Sequence, residues 1–260
     1  MHGTIEGDLA RRDFTINAIA TPVAGGEPID PSGGRDDLQL KLVRAVSESV
    51  FDDDPLRLLR AVRHEDELDF RLAPMTEELV RAQADLLPAA AGERVLAELA
   101  RLSARGYRRL DELGLLERLG GHADDRLDRV DSPEYRLVAA FGENLRRLPV
   151  SNEVRRYARA LLCADRPADD SGRELHRFRR RTEPWALDAL AFVGAEELRP
   201  RVEEARAAEP HEPLVRGDEL GLPPGPEIGR LLARIEEERA AGTISTREEA
   251  LELARREARR

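Results

Sequence analysis

The segment from Phe51 to Arg63, FDDDPLRLLRAVR, constrains the fold of this chain most. Pro55 suits the first turn of a helix, where its missing N–H costs nothing, and Asp54 stands at an N-cap position. The segment therefore predicts a helix from Asp54 to Glu67. At about 100° per residue, one arc of this helix is apolar and the opposite half is polar. The apolar arc carries Leu58, Leu59 and Val62, and the polar half carries Asp54, Arg57, Arg60 and Arg63.

The polar half of this helix has two interpretations. An acid and an arginine one turn apart offer an acceptor and donors to the edge of a planar base. Further arginines suit phosphates, because a guanidinium pairs bidentately with oxyanions. The alternative is a solvated charged face over a core helix, which is common on surface helices.

Composition limits the fold and the partners. A chain of 260 residues forms one large domain or two to three small ones, and 41% hydrophobic with only 4% aromatic residues favours small aliphatic helices. The net charge of −10 argues against RNA binding by bulk attraction. Cys163 is the single cysteine, which predicts no disulfide framework and a reducing, cytoplasmic location. No apolar run has the ~20 residues of a membrane span, so no membrane partner is expected.

Strand character is confined to residues 1–50. We predict one helix from Asp8 to Ala18 and short strands at Ile19–Val23 and Lys41–Val46, separated by a glycine-rich turn. These strands are expected to pair with partners outside this chain, which leaves an exposed edge.

The rest of the chain is predicted to be helical. Helices are expected from near Met75, with Thr76 as the cap, from Gly92 to Ala104, from Tyr107 to Leu113 with Gly114 as the stop, and from Glu227 to Ala241. Ala164–Arg173 is a loop by composition. A capping box at Thr246 and Glu249 begins the last helix.

Five segments follow one another in an order that is similar to a known family. They are Arg11–Ala18 (RRDxTxNA), Asp30–Leu38 (DPxGGxxDL), Asp53–Arg63 (DDPLRLLRAVR), Glu93–Leu99 (ERxxxEL) and a tail of Gly217-Asp218-x-Leu220 with Pro224–Gly229. Together they resemble the class II tRNA nucleotidyltransferases and poly(A) polymerases. Single motifs of this length occur by chance, but the ordered set covers nearly the whole chain and is specific.

The chain departs from the family pattern at three places. Asp53 replaces a glutamate, and His64 stands where the family has phenylalanine, which alters packing at the end of the helix. The family begins with a glycine-rich strand-turn and a DxD pair that holds the catalytic metals. Nothing of that kind precedes Asp8, so the resemblance predicts an N-terminally truncated head without the Mg²⁺ ligands.

The resemblance implies a mainly α fold: a helical neck, body and tail arm preceded by a small α/β remnant of a nucleotidyltransferase head. The expected domains are residues 1–50 for the head remnant, 51–120 for the nucleotide-selecting and tRNA-binding neck, 121–195 for the body and 196–260 for the tail.

The resemblance also implies roles for individual residues. Arg12 would contact the nucleotide, and Asp13 and Asn17 would help hold its ribose. Asp54 and Arg57 would read the base edge of CTP or ATP, with helix capping as a rival role for Asp54. Two further arginines, Arg60 and Arg63, would reach the triphosphate or brace the pocket. The expected braces behind this helix are Glu93, Arg94 and Glu98, and their alternative is a surface charge set.

The densest basic run is Arg173–Arg181, RELHRFRRR. Arginines interleaved with aromatic residues suit an RNA backbone and stacked bases, whereas the alternative is a helix with one solvated face. The expected RNA-binding residues are Arg173, Arg177, Arg179, Arg180 and Arg181.

The sequence therefore predicts a CCA-adding tRNA nucleotidyltransferase whose base-selecting and RNA-binding part is present. The expected substrates and partners are CTP, ATP and tRNA, together with a separate or missing catalytic head segment. The isolated chain is expected to be inactive, because the metal ions that would activate the 3′-hydroxyl lack their carboxylates. The alternatives are a poly(A) polymerase-type enzyme, an enzyme that adds only A or only CC, and a catalytically inactive RNA-binding protein.

Overall fold

The structure is a computed structural model that describes residues 4–210 and 212–258. These residues form two compact units, one ending at Ala158 and the other beginning at Arg159. Helices dominate both units, and the two strands among the described residues are two residues long each. This confirms the predicted mainly α fold class. The division into four domains stays a prediction.

The first unit contains the segments that precede and surround the arginine-bearing helix. Its elements are α1 (Ile5–Leu9), α2 (Gly34–Leu40), β1 (Leu42–Val43), α3 (Val50–Asp53), α4 (Arg57–Leu68), β2 (Arg71–Leu72), α5 (Pro74–Ala82), α6 (Gly92–Leu99), α7 (Ala104–Glu112), α8 (Leu115–Arg118) and α9 (Pro133–Phe141). The boundary between the units falls within α10 (Asn152–Leu162).

The predicted helix from Asp8 to Ala18 is wrong. The helix α1 ends at Leu9, and a 3₁₀ turn follows at Thr15–Asn17. Between them Phe14 is extended and fully buried, and it forms an antiparallel bridge with Ala45. Burial of an aromatic ring and pairing with a distant segment thus override the local preference for helix.

The predicted strands are also shorter than expected and are paired differently. Residues 19–23 hold only one isolated bridge, from Ala20 to Ile29, and the second strand is reduced to β1. The partner of β1 lies within the chain, since β1 pairs in parallel with β2. The residues between the two strands include α3 and α4, so this pairing fixes both ends of the segment that carries α4.

The helix α4 begins at Arg57 rather than at Asp54. The acids before it belong to α3, which is anchored by the buried Val50 and Phe51. Asp54 ends α3, and its Oδ1 accepts from the N–H of Leu56 at 3.2 Å. The apolar arc is confirmed, because Leu58, Leu59 and Val62 are all 0% exposed.

Several local signals place the remaining helices of this unit. Thr76 does not cap α5, because its hydroxyl lies in the interior and accepts from the N–H of Ala45 at 3.0 Å. The predicted helix from Gly92 ends earlier than expected, at Leu99, because Ser103 caps the next helix, α7. Gly114 has φ 74°, which confirms it as the stop after α7.

The second unit is helical among its described residues. Its helices are α11 (Gly172–Thr182), α12 (Ala186–Phe192), α13 (Arg199–Ala207), α14 (Pro226–Ala240) and α15 (Arg247–Glu257). The loop predicted at Ala164–Arg173 overlaps the start of α11 by two residues, and α14 lies within one residue of its predicted bounds. The capping box of α15 is confirmed, because the side chains of Thr246 and Glu249 each bond the other's backbone N–H.

Candidate functional site

An open cleft in the first unit brings together the first motif, the polar half of α4 and one residue of α6. Its volume is about 520 Å³. The residues that line it are Arg11, Arg12, Asp13, Asn17, Asp54, Arg57, Arg60, His64 and Arg94. Residues that lie more than 80 positions apart in the chain thus share one surface.

The first motif reaches the cleft because its backbone is tied to the segment after β1. Phe14 bridges Ala45, and the N–H of Val46 donates to the carbonyl of Asp13 at 3.2 Å. In the 3₁₀ turn Thr15–Asn17 that follows, Thr15 is buried and donates to Asp37, whereas Asn17 is exposed at the cleft. The buried ring therefore works as the anchor of the polar residues around it.

Asp13 is buried and accepts three hydrogen bonds, and a second nitrogen of Arg60 lies within ion-pair distance of its carboxylate. Its Oδ1 accepts from Phe14 N at 2.9 Å and from Asn17 Nδ2 at 3.1 Å. Its Oδ2 lies 2.7 Å from Arg60 Nε and 2.6 Å from Arg60 Nη2. Burial alone would raise the pKa of Asp13, but the bonds from Asn17 and Arg60 outweigh it and hold that pKa below its ordinary value.

Asp54 is held by Arg94 of α6. The Nη2 of Arg94 lies 2.7 Å from Oδ2 of Asp54, and the N–H of Leu56 donates to Oδ1. Burial opposes ionisation here too, but the bond from Arg94 dominates and keeps the pKa of Asp54 below its ordinary value. Asp54 is therefore an ionised acceptor at neutral pH. It lines the cleft even though its Oδ1 also accepts from the N–H of Leu56.

Arg57 is fixed by main-chain carbonyls rather than by a close carboxylate. Its Nη1 donates to Val50 O at 3.1 Å and its Nη2 donates to Arg11 O at 2.9 Å, whereas Asp53 lies 4.0 Å away. A carbonyl orients the guanidinium without cancelling its charge. Since guanidinium has five N–H donors, Arg57 retains donors for a ligand.

Arg63 does not lie on the polar face that the helical periodicity predicts. It is 4% exposed, and its Nε lies 2.5 Å from Glu98 while its Nη1 lies 2.6 Å from Glu67. Burial alone would lower the pKa of Arg63, but these two bonds raise it above its ordinary value. Glu98 also lies 3.7 Å from Arg60. These contacts fit the bracing role for Arg63 and Glu98, and Arg63 is not among the residues that line the cleft.

Two other residues singled out by the motifs stand apart from this network. Arg12 lines the cleft and is exposed, and it pairs with the exposed Asp8 at 2.8 Å. Glu93 is exposed at the start of α6, and its side chain forms no hydrogen bond or ion pair with the residues that the structure describes. Of the three expected braces, only Arg94 and Glu98 thus contact residues of the site.

His64 and Arg11 line the cleft although the motifs gave neither of them a role. The Nε2 of His64 lies 3.2 Å from Asn17 Nδ2, and its ring meets Phe14 edge-on at 5.5 Å between centroids. Burial, and then the nearby Arg63, lower the pKa of His64 to about 4. The sequence signal at His64 was a histidine where the family has phenylalanine. That difference predicted altered packing but no role in the cleft.

The charge of the cleft differs from that of the chain. Five arginines and two aspartates line it, so the lining carries an excess of three positive charges, whereas the chain has a net charge of −10. His64 is neutral at pH 7, because its pKa is about 4. A compact polyanion can bind within this local excess of positive charge. A long polyanion would also meet the negative charge of the rest of the chain and is therefore less favoured.

The described part of the chain offers no metal centre. Within residues 4–210 and 212–258, no group of three or more His, Cys, Asp or Glu side chains is placed to hold a metal ion. No helix among the same residues is long and apolar enough to cross a membrane.

The basic run Arg173–Arg181 forms α11 in the second unit. Four of its five arginines are paired with carboxylates. Arg173 lies 2.7 Å from Glu238, Arg177 2.5 Å from Glu237, Arg179 2.5 Å from Glu209 and Arg181 3.1 Å from Asp165. Arg180 is exposed and pairs with none of the residues that the structure describes. The run is thus largely neutralised, and its RNA-binding role stays a prediction.

Two family models match the chain. Residues 1–44 match the family described as the poly A polymerase head domain, and residues 69–123 match the one described as the probable RNA and SrmB-binding site of polymerase A.

Curated relatives extend the match. The A-adding tRNA nucleotidyltransferase of Deinococcus radiodurans is 31% identical over 347 aligned positions, covering 97% of this chain and 79% of the relative. The CCA-adding enzyme of Geobacillus stearothermophilus is 35% identical over 245 residues, covering 89% of this chain and 58% of the relative. The chain thus spans little more than half of that second relative.

Solved structures agree in fold. The Bacillus stearothermophilus CCA-adding enzyme in complex with CTP has a TM-score of 0.70 and 28% identity, covering 99% of this chain and 76% of that one. The Thermotoga maritima CCA-adding enzyme complexed with tRNA has a TM-score of 0.74 over 98% of this chain and 74% of that one, and at 24% identity it supports the fold alone. The motifs, the fold and the curated relatives agree, and the chain belongs to the tRNA nucleotidyltransferase and poly(A) polymerase family.

Proposed function

We propose that this chain is the base-selecting part of a tRNA nucleotidyltransferase, and that its cleft binds CTP and ATP for addition of CMP and AMP to the 3′ end of tRNA. The observation that carries the proposal is the cleft itself. Its lining has an excess of three positive charges and places an ionised aspartate and a donor-rich arginine side by side. A nucleoside triphosphate needs both, since it combines a polyanion with a base edge.

Asp54 and Arg57 are assigned to the base. Asp54 is ionised and keeps acceptor capacity beside Arg94, and Arg57 keeps donors beside its two carbonyl partners. An acceptor and a donor on one wall distinguish base edges by their hydrogen-bond pattern. Because both side chains are already held by the protein, binding does not have to immobilise them.

The phosphates are assigned to Arg11, Arg12 and Arg60. The side chain of Arg12 is 54% exposed, and among the described residues it pairs only with the exposed Asp8, so an oxyanion can replace that partner at little cost. Arg60 is partly neutralised by the buried Asp13, so its contribution is smaller. Bidentate contacts from guanidinium to phosphate would hold the triphosphate at the mouth of the cleft.

The chain by itself is expected not to extend tRNA. Transfer of a nucleotidyl group in this family requires carboxylate-bound metal ions, and no group of three or more potential metal-binding side chains is present among the described residues. Purified chain, tRNA lacking CCA, labelled CTP and ATP, and magnesium should give no incorporation above a buffer control. Incorporation would show that an acid of this chain binds the metal and would overturn this part of the proposal.

The proposal has two kinds of alternative. The enzyme could add only A or only CC, or the chain could act only as an RNA-binding protein. Curated relatives of the chain include A-adding, CC-adding and CCA-adding enzymes, so the names do not separate these activities. A purely RNA-binding role predicts that the chain binds tRNA but none of the four nucleoside triphosphates. The lack of a metal-binding group among the described residues is the observation that favours this second function.

Calorimetry with CTP, ATP, UTP and GTP tests the assignment. Loss of a donor to a buried base costs about 1–3 kcal/mol, so Arg57→Ala should weaken CTP and ATP binding roughly ten- to a hundredfold and unequally. Arg60→Ala should weaken all four alike, since the triphosphate is common to them. Arg101→Ala, outside the cleft lining, controls for loss of one positive charge. If Arg57→Ala scales all four affinities by one factor, Arg57 does not read the base.

A further inference from the structure

A pocket in the second unit lies among α11, α13, α14 and the turn before α15. Its volume is about 410 Å³, which is within the usual range of small-molecule sites. More than half of the described residues that line it are small or aliphatic, namely Gly172, Ala205, Ala208, Pro210, Ala240, Gly242 and Ile244. The pocket therefore offers a mainly apolar surface to a ligand.

The charged residues of this lining cancel one another. The Nη2 of Arg179 lies 2.5 Å from Oε2 of Glu209, and the Nη1 of Arg239 lies 3.7 Å from Oε2 of Glu236. Two arginines and two glutamates leave no excess charge, in contrast to the cleft of the first unit. A charged ligand would lose hydration in this pocket without gaining an opposite charge, so the lining favours an uncharged ligand.

His176 of α11 contributes an unused hydrogen-bonding group to the same wall. Its Nε2 is buried, and neither ring nitrogen bonds any residue that the structure describes. Burial, and then the nearby Arg180, lower the pKa of His176 below its ordinary value, so the ring is neutral at pH 7. A neutral imidazole has one N–H donor and one acceptor nitrogen. A hydroxyl group suits either nitrogen, because a hydroxyl both donates and accepts.

The ring of His176 can turn toward a ligand without breaking a hydrogen bond. The torsion that rotates a histidine ring about its Cβ–Cγ bond is broad, and no bond to a described residue holds this ring. Rotation therefore brings either nitrogen to a group in the pocket. A buried polar atom without a partner is unfavourable, so a ligand that bonds the ring gains more than apolar contact alone.

We propose that this pocket binds a small, uncharged, mainly apolar molecule whose hydroxyl group bonds His176. The volume, the neutral lining and the unpaired imidazole all favour the same class of ligand. The pocket shares no residue with the cleft of the first unit, so the inference does not depend on the proposed nucleotide binding. A ligand here would contact three helices at once and stabilise the folded second unit.

Fluorescence titration of the full chain with 2-naphthol, naphthalene and 2-naphthoate tests the class of ligand. The three probes share one ring system and differ only in a hydroxyl, a hydrogen or a carboxylate. We expect 2-naphthol to bind the wild type roughly tenfold more tightly than naphthalene, because it gains one hydrogen bond. The charged 2-naphthoate should bind more weakly than 2-naphthol. Failure of 2-naphthol to bind, or tighter binding of either other probe, would overturn the proposal.

Two variants test whether the probe occupies this pocket. Ala205→Phe should abolish the binding of 2-naphthol, because the larger side chain fills the space beside α13. His176→Phe should reduce the ratio between 2-naphthol and naphthalene to within about threefold of one. His122→Phe, at an exposed histidine of the first unit, is the matched control and should keep the wild-type ratio. Binding that survives Ala205→Phe would place the ligand elsewhere, and a tenfold ratio in His176→Phe would exclude the contact with His176.

A second measurement needs no variant. Saturating 2-naphthol should shift the ring ¹⁵N resonances of His176 in the wild type and leave those of His122 unchanged. Naphthalene should shift the His176 resonances less, because it forms no hydrogen bond. Unchanged His176 resonances in the presence of bound 2-naphthol would overturn the assigned contact.

Discussion

The helices α4 and α11 carry similar runs of arginine but use them differently. In α4, Arg57 is bonded to main-chain carbonyls, and the cleft beside it has an excess of three positive charges. In α11, four of five arginines face carboxylates. The cavity beside α11, of about 570 Å³, is lined by four arginines and three acids, an excess of only one. The number of arginines in a segment therefore says little about its surface charge, because the type of partner decides whether the charge remains available.

The two helices also share a feature, since each buries one arginine between acids. Arg63 of α4 lies between Glu98 and Glu67, and Arg179 of α11 lies between Glu183 and Glu209. The four predictions below test how far the comparison extends, first in stability and then in binding.

Arg63→Ala should cause the largest loss of stability. It leaves Glu98, whose side chain is 11% exposed, with only the more distant Arg60, and an uncompensated buried charge costs about 3–5 kcal/mol. Urea unfolding followed by circular dichroism measures the change. Arg101→Ala is the matched control, because Arg101 pairs with the same Glu67 from an exposed position and should cost less than about 1 kcal/mol. Equal losses in the two variants would contradict the buried pair.

Arg179→Ala should cost less, about 1–2 kcal/mol. The acids it releases are 30% and 55% exposed, so water can solvate them once the arginine is gone. The same unfolding experiment measures this loss. A loss as large as that of Arg63→Ala would mean that the two buried arginines are equivalent and would break the comparison.

The pH dependence of stability should separate His64 from the carboxylates. The pKa of His64 is about 4 in the folded chain and about 6.5 when unfolded, so between these values the unfolded state binds more protons. Stability should therefore fall as pH falls from 7 to 5, by about 1 kcal/mol after allowing for the partial exposure of the ring. In His64→Phe this part of the slope should disappear. Burial also lowers the pKa of His176, so its share of the slope should remain in the variant, and an unchanged slope would place His64 in a solvated position.

Arg180→Glu should have the smallest effect on stability, within about 0.5 kcal/mol, because Arg180 is exposed and pairs with none of the described residues. If α11 contacts RNA, this variant should weaken tRNA binding and reduce the slope of log affinity against log salt by about one. Arg179 is unsuitable for this purpose because its loss also destabilises the helix. Unchanged tRNA affinity in Arg180→Glu would mean that α11 is a solvated, internally paired face.

Sequence predicted those parts of the fold that depend on neighbours in the chain. The capping box of α15 and the stop at Gly114 require only a few adjacent residues, and both are confirmed. The helix from Asp8 to Ala18 failed because Phe14 pairs with Ala45, thirty-one positions away. Arg63 was expected on the polar face, but Glu98 of α6 draws it into the interior. Periodicity within one helix carries no information about a partner on another.

The candidate site shows the same limit. The motifs predicted that Asp13, Asn17, Asp54 and Arg57 act together, and all four line one cleft. They did not predict that Arg60 pairs with Asp13 or that His64 contacts Asn17. Those properties depend on distances of about 3 Å between side chains that lie 47 positions apart. From the sequence alone, histidine in place of the family's phenylalanine predicts only a change in packing. The contact between His64 Nε2 and Asn17 is visible only in the structure.

The bonds from Arg57 to the carbonyls of Val50 and Arg11 have an evolutionary consequence. Every residue type has a main-chain carbonyl, so substitution at positions 50 or 11 leaves the anchor of Arg57 in place. The pair of Asp54 and Arg94 depends on two side chains, and a change in one removes the bond unless the other changes too. Across homologous chains, positions 54 and 94 should therefore covary, whereas position 57 should vary independently of the two positions that hold it.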